Sequence, residues 1–168
     1  MYSESKQALA AELSFKHPAV LAISGAEGCG KTALLTALLP VLKGRGLKVG
    51  VIREADALRL PAETDRLHEA GAEGVAVFTA GRYLLTEQFR LTEQDLLALF
   101  ERHGYDLVLL EGFADSGWAK LEVVRRSVSP VSISFQPMAI VGDVPGADFA
   151  PDDTAALADW IESQMPAL

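Results

Sequence analysis

The chain contains the run Gly25-Ala26-Glu27-Gly28-Cys29-Gly30-Lys31-Thr32, which matches the pattern G-x-x-x-x-G-K-T. An apolar run of β type, residues 19–23, precedes this stretch, and residues 33–39, which favour a helix, follow it. A strand, a glycine-rich loop and a helix in this order form the context in which the pattern binds phosphate. Residues 25–32 are therefore predicted to be a phosphate-binding loop, called the P-loop below.

The residue types of the P-loop fit this chemistry. Gly25, Gly28 and Gly30 allow backbone conformations that other residues avoid, and they let the backbone approach a ligand closely. Successive N–H groups then form an anion nest, which the positive end of the following helix reinforces. We expect Lys31 to reach the β- and γ-phosphates of a nucleotide and to take part in catalysis. We expect the Thr32 hydroxyl to bind Mg²⁺.

Composition and charge narrow the class of protein. The 168 residues are 49% hydrophobic and 23% charged, as in one ordinary globular domain. The net charge of −8 argues against a nucleic-acid partner and against an anionic membrane, since both attract basic patches. The longest apolar run, around residues 33–42, is too short to span a bilayer and is interrupted by Pro40.

Cys29 is the only cysteine, so the chain forms no internal disulfide. This composition is typical of the reducing cytoplasm, where we expect the protein to act. Within the P-loop we expect the Cys29 N–H group to contact the nucleotide and the thiol to be incidental.

Predicted strands and helices alternate along the chain. The helices follow the P-loop, span residues 62–70, and begin near Thr92 and near Asp153. The alternation implies crossover connections and a mainly parallel sheet flanked by helices on both faces, the α/β architecture of P-loop NTPases. The predicted strands cover residues 19–23, 47–52, 75–78, 83–85 as a candidate edge strand, 107–110, 121–124 and 138–141.

The predicted organisation is an N-terminal extension, residues 1–18, and a P-loop nucleotide-binding domain, residues 19–168. For the extension the sequence allows two predictions, a short helix over residues 7–13 or a partly disordered terminus. The strand over residues 121–124 alternates polar and apolar residues and is expected to be half-buried. Residues 127–136 are predicted to be a loop, with a candidate short strand over residues 131–135.

Two acidic residues follow buried strands. Ligands of parallel α/β sheets bind beyond the carboxyl ends of the strands. Glu111 follows the apolar run 107–110, so we expect it to act as a catalytic group and to face Mg²⁺ or its water ligands, rather than to be a solvated loop acid. The chain has no asparagine, which excludes an N-K-x-D guanine motif, so we expect Asp143 to accept the N–H groups of guanine. The alternative for Asp143 is a turn acid.

The chain resembles the MobB family, the nucleotide-binding proteins of molybdopterin-guanine dinucleotide synthesis, over residues 19–165. The stretches that carry this resemblance are residues 23–32, 34–42, 45–52, 70–72, 79–87, 106–113, 120–125 and 139–145. The most specific of them are E-G-F within 106–113 and K-x-E-V-x-R at 120–125. The resemblance implies a homodimer that binds GTP with Mg²⁺ and has weak GTPase activity at most. It also implies a partner, the MobA nucleotidyltransferase, which joins GMP to molybdopterin in the molybdenum cofactor.

The resemblance also implies a role for Arg82, since this residue matches a family position and arginine suits phosphate recognition. The alternative is a surface ion pair with Glu87. The family usually has a lysine and a histidine after the second strand, where this chain has Arg53 and Glu54. Two other functions therefore stay open: a small-molecule kinase, and an adaptor that binds nucleotide without hydrolysing it.

Overall fold

The computed structural model describes residues 17–168, so the predicted helix over residues 7–13 lies outside the described residues. Residues 17–54 and 93–168 form one compact unit, and residues 55–92 form a second. The division into residues 1–18 and 19–168 stays a prediction. In chain order the elements are β1 (Ala19–Ser24), α1 (Lys31–Gly44), β2 (Val49–Arg53), α2 (Ala62–Glu69), β3 (Gly74–Phe78), β4 (Tyr83–Glu87), α3 (Glu93–Arg102), β5 (Leu107–Glu111), β6 (Lys120–Val124), β7 (Ala139–Gly142), α4 (Thr154–Gln164) and a 3₁₀ turn (Met165–Ala167).

The first unit is built on a five-stranded sheet in the order β2-β5-β1-β6-β7, with every pair parallel. Ala19, Leu107 and Val49 are register partners at the starts of their strands. Ile23, Glu111 and Arg53 are register partners at the ends. The strand ends therefore meet at one edge of the sheet, and the predicted α/β fold is confirmed.

Both faces of the sheet are covered, because successive residues of a strand point to opposite sides. Leu21 and Ile23 of β1 belong to a core that includes α1 and α4. Val20 and Ala22 belong to a second core on the α3 side. The helix α3 lies so close that a Cβ on Gly50 of β2 would be 2.7 Å from the Phe100 ring. Among the described residues, the helices are too short or too polar to cross a bilayer.

The prediction of a half-buried strand over residues 121–124 is wrong, since all five residues of β6 are buried. Lys120 is only 4% exposed, and its Nζ donates to the carbonyl oxygens of Ala114 (3.1 Å) and Ser116 (2.6 Å). Glu122 is 1% exposed and accepts from the backbone N–H of Ile133 at 2.6 Å. Burial of these ions is tolerated because each is hydrogen-bonded.

The candidate strand over residues 131–135 does not form. The Glu122 carboxylate takes the N–H groups of Ile133 and Ser134, which a sheet ladder would otherwise need. Ser134 also donates from its hydroxyl to the Ser24 hydroxyl at 2.7 Å, directly before the P-loop. Polar side chains of the loop are thus turned inward, while Val131 and Phe135 are exposed.

The second unit consists of α2 and an antiparallel hairpin of β3 and β4, paired from Gly74–Glu87 to Phe78–Tyr83. Within this unit, His68 on α2 contacts the Ala72 carbonyl at 2.6 Å and the Thr86 hydroxyl at 2.8 Å. The two predicted strands therefore exist, but they pair with each other and stay outside the parallel sheet.

Candidate nucleotide-binding site

The P-loop joins β1, the central strand of the sheet, to α1. Gly25, Gly28 and Gly30 have φ angles of 134°, 75° and 97°, which side chains disfavour. A Cβ on Gly25 would overlap the Val123 carbonyl oxygen, so only glycine fits there. Gly30 caps α1 and brings no side chain to compete for the first N–H groups of the helix. The predicted anion nest therefore has the backbone it requires.

Lys31 lies folded over the P-loop. Its Nζ donates to the Gly25 carbonyl at 2.9 Å and to the Ala26 carbonyl at 2.8 Å. An ammonium group has three N–H donors, and the third side of Nζ lies 3.9 Å from the Cys29 sulfur. The positive charge of Lys31 is thus held at the centre of the loop, where a phosphate would be bound.

Glu111 and Thr32, predicted from separate parts of the sequence, are in contact. The Thr32 hydroxyl donates to one oxygen of the Glu111 carboxylate. The other oxygen forms an ion pair with Arg53 at an Nε–Oε2 distance of 3.4 Å. Glu111 is 8% exposed and Arg53 is 64% exposed. A cavity of about 270 Å³ is lined by these three side chains, Lys31 and the P-loop backbone.

The donor set at this point fits Mg²⁺. A hydroxyl and a carboxylate are hard oxygen ligands, which Mg²⁺ prefers. Within residues 17–168, no cluster of three or more histidine, cysteine, aspartate and glutamate side chains could hold a metal ion by itself. In many Mg²⁺ sites one or two protein oxygens are completed by water and phosphate. Thr32 and Glu111 are the side chains that would hold the ion.

Arg125 contacts the P-loop from the β6 side, opposite to Glu111 and Arg53. This contact was not predicted from the sequence. Its Nε donates to the Cys29 carbonyl at 3.2 Å. The residue follows β6 directly, and β6 is the neighbour of β1. The Cys29 N–H donates to the Ala26 carbonyl at 3.3 Å and the thiol is buried. Both backbone groups of Cys29 therefore hydrogen-bond to protein groups, and the contact of its N–H with a nucleotide stays a prediction.

Asp143 and Arg82 lie in different surroundings. Asp143 follows β7 at the carboxyl edge of the sheet, and its Oδ1 accepts from the Arg126 N–H at 2.7 Å. Arg82 belongs to the second unit, where its carbonyl accepts from the Thr79 N–H at 2.7 Å in the hairpin turn. The nucleotide-binding roles of these two residues stay predictions.

The sheet is parallel, and the G-x-x-x-x-G-K-T stretch follows its central strand. An acid from the adjacent strand contacts the threonine of this loop. These features define the class of P-loop nucleotide-binding proteins. Within this class, residues 20–143 match the MobB family model, "Molybdopterin guanine dinucleotide synthesis protein B". The chain belongs to the MobB family, so the predicted family membership is confirmed.

Relatives of this chain have names that refer to molybdopterin-guanine dinucleotide biosynthesis. The molybdopterin-guanine dinucleotide biosynthesis adapter protein of Escherichia coli (strain K12) is 32% identical over 162 residues, which cover 87% of this chain and 93% of that protein. The adapter protein of Haemophilus influenzae is 33% identical over 116 residues, covering 66% of this chain and 65% of that protein. A crystal structure of molybdopterin-guanine biosynthesis protein B is 29% identical, has a TM-score of 0.66, and is aligned over 86% of this chain and 98% of its own.

Proposed function

We propose that this protein is a GTP-binding adapter in molybdopterin-guanine dinucleotide biosynthesis, acting with a MobA-like nucleotidyltransferase that joins GMP to molybdopterin. One observation carries the proposal: the Thr32 hydroxyl meets the Glu111 carboxylate beside a P-loop in a chain of the MobB family. A nucleoside triphosphate with Mg²⁺ is the ligand whose charges match this arrangement.

The P-loop backbone and Lys31 would hold the phosphates, and Thr32 and Glu111 would hold Mg²⁺. A bound Mg²⁺ ion would neutralise charge on the phosphate oxygens. We propose weak Mg²⁺-dependent GTP hydrolysis at most, with Lys31 and Glu111 as the catalytic side chains. Asp143 is the proposed acceptor for guanine, and Arg82 the proposed additional phosphate contact.

We further propose that the protein acts as a cytoplasmic homodimer. Support comes from the hairpin of the second unit, where large apolar side chains of both strands are exposed. A surface of this kind marks interaction sites in soluble proteins. The exposed residues are Val77, Phe78, Tyr83, Leu84 and Leu85.

The proposal is tested by identifying the nucleotide that co-purifies with the untagged protein, using mass spectrometry of the released ligand. Titrations with GTP and ATP then measure affinity with and without Mg²⁺, and phosphate release with and without a candidate acceptor separates adapter from kinase. A purified MobA-like nucleotidyltransferase is tested for binding by analytical ultracentrifugation. Absence of any purine nucleotide affinity would overturn the proposed function.

A further inference from the structure

Arg53 is a charged residue that lines the cavity and has no role in the nucleotide binding proposed so far. It is the last residue of β2, and it lines the cavity together with Lys31, Thr32 and Glu111. Its guanidinium contacts one oxygen of Glu111, while the other oxygen of that carboxylate accepts from the Thr32 hydroxyl. The Glu111 carboxylate therefore lies between Arg53 and the P-loop threonine and contacts both of them.

The order of the strands places Arg53 at one end of a bound nucleotide. In a G-x-x-x-x-G-K-T loop the threonine hydroxyl would hold Mg²⁺, and this ion would neutralise charge near the β- and γ-phosphates. Arg53 and Glu111 lie on the β5 side of the P-loop, whereas Arg125 contacts Cys29 from the β6 side. Because Arg53 is on the side of the threonine and its acid, it lies toward the terminal phosphate.

The pair that Arg53 forms with Glu111 can be exchanged. Arg53 is 64% exposed, so its guanidinium has room to take another partner, and a cation would replace it beside the Glu111 carboxylate, which is only 8% exposed. A cation held by Thr32 and Glu111 would repel the guanidinium, while the γ-phosphate would add negative charge to the same cavity. A guanidinium binds phosphate oxygens with two parallel hydrogen bonds, which the point charge of lysine cannot match.

We propose that Arg53 exchanges the Glu111 carboxylate for the γ-phosphate and thereby makes this chain prefer a nucleoside triphosphate to a diphosphate. The inference rests on the proposed nucleotide binding. It assigns to Arg53 a specificity role in binding the terminal phosphate, distinct from the loop contacts of Lys31. The exchange breaks one ion pair and forms another, without a covalent step.

The experiment measures the affinities for GDP and for a non-hydrolysable GTP analogue, with Mg²⁺, in the full-length protein and three variants. For Arg53→Ala we expect affinity for the GTP analogue to fall about tenfold while GDP affinity stays within about twofold. Arg53→Lys should retain part of the preference. The matched control is Arg102→Ala, which removes an exposed charge at the end of α3 and should change neither affinity.

Two outcomes would overturn the inference, and they differ from each other. If native protein and Arg53→Ala both bind nucleotides with the same ratio of triphosphate to diphosphate affinity, Arg53 has no role in this preference, although the proposed function stands. If the native protein binds neither nucleotide, the proposed function and the inference both fail. Thermal unfolding of each nucleotide-free variant verifies that the exposed substitution leaves the fold intact.

Discussion

On the β5 side of the P-loop, the charged side chains of Glu111 and Arg53 contact each other beside a cavity. On the β6 side, two charged side chains near the strand ends contact main-chain groups: Arg125 binds the Cys29 carbonyl and Asp143 binds the Arg126 N–H. Contacts between side chains can be exchanged for a ligand without moving the backbone, whereas contacts to the main chain hold loops in place. The two sides should therefore respond differently to substitution.

The largest effect on nucleotide affinity is expected at Lys31, which lies on the P-loop between the β5 side and the β6 side. Lys31→Ala removes the charge that is held over the loop by the Gly25 and Ala26 carbonyls. We expect a loss of about 2–5 kcal/mol of nucleotide-binding free energy, with an unchanged fold, because a charge-assisted contact disappears. Titration with a fluorescent GTP analogue measures it.

Lys43→Ala is the matched control, since this exposed lysine lies in the last turn of the same helix. It should bind nucleotide like the native protein. Native affinity in a folded Lys31→Ala variant would contradict the assignment of residues 25–32 as the phosphate site.

Arg125→Met tests the β6 side. Removing the donor to the Cys29 carbonyl should loosen the P-loop, so affinity for GTP, GDP and GMP should fall together. Hydrogen bonds of charged groups contribute about 1.5–3 kcal/mol, and for this half-buried side chain we expect the lower end, about tenfold. Calorimetric titration of the three nucleotides gives the comparison, with the exposed neighbour substituted as Arg126→Met for control.

A loss confined to GTP in Arg125→Met would contradict the comparison. It would place Arg125 on the terminal phosphate, the role proposed for Arg53 on the opposite side.

Asp143 contacts the main chain of Arg126 and is also the proposed acceptor for guanine, and substitutions can separate these two contacts. If its carboxylate accepts the N–H groups of guanine, Asp143→Ala should lower GTP affinity and leave ATP affinity nearly unchanged, narrowing the ratio by about tenfold, or ~1.4 kcal/mol. The reason is that guanine offers a pair of N–H donors to this exposed carboxylate, whereas adenine offers no such pair. Competition binding of GTP and ATP measures the ratio.

Asp143→Asn is the informative control, because an amide oxygen can still accept from the Arg126 N–H while its NH₂ group opposes the guanine donors. Loss of guanine preference in both variants supports base recognition. Equal losses for GTP and ATP in Asp143→Ala, with native behaviour in Asp143→Asn, would make Asp143 a loop residue only.

The sequence predicted those parts of the site that depend on neighbouring residues in the chain. The P-loop is defined by local spacing, and Glu111 by a strand that ends directly before it. Arg53 and Arg125 were missed as site residues because their proximity to the P-loop follows from the order β2-β5-β1-β6, which strand periodicity does not contain. Arg125 directly follows β6, the neighbour of β1, and Arg53 ends β2, which lies two strands from β1 on the other side, so the sheet order would have been sufficient to find them.

The fold shows the same limit. Apolar runs identified β3 and β4, but they could not say that these strands pair with each other outside the parallel sheet. The alternating pattern of β6 predicted a half-exposed strand, because the partners that allow Glu122 to be buried lie about ten residues further along the chain. Burial of a charged residue depends on such partners, and periodicity carries no information on them.

The smallest effect on nucleotide affinity is expected from Glu111→Gln, on the exchangeable side. Glutamine keeps an oxygen for the Thr32 hydroxyl but removes the charge that faces Arg53 and would hold Mg²⁺. We expect GTP affinity to stay within about threefold, ~0.65 kcal/mol, while its dependence on Mg²⁺ weakens and any hydrolysis slows. The loss falls on turnover because orientation of metal-bound water matters more in the transition state than in the ground state. Titrations at several Mg²⁺ concentrations and single-turnover phosphate release measure both quantities. A variant that hydrolyses GTP at the native rate would make Glu111 a structural partner of Thr32, and the β5 side would then resemble the β6 side.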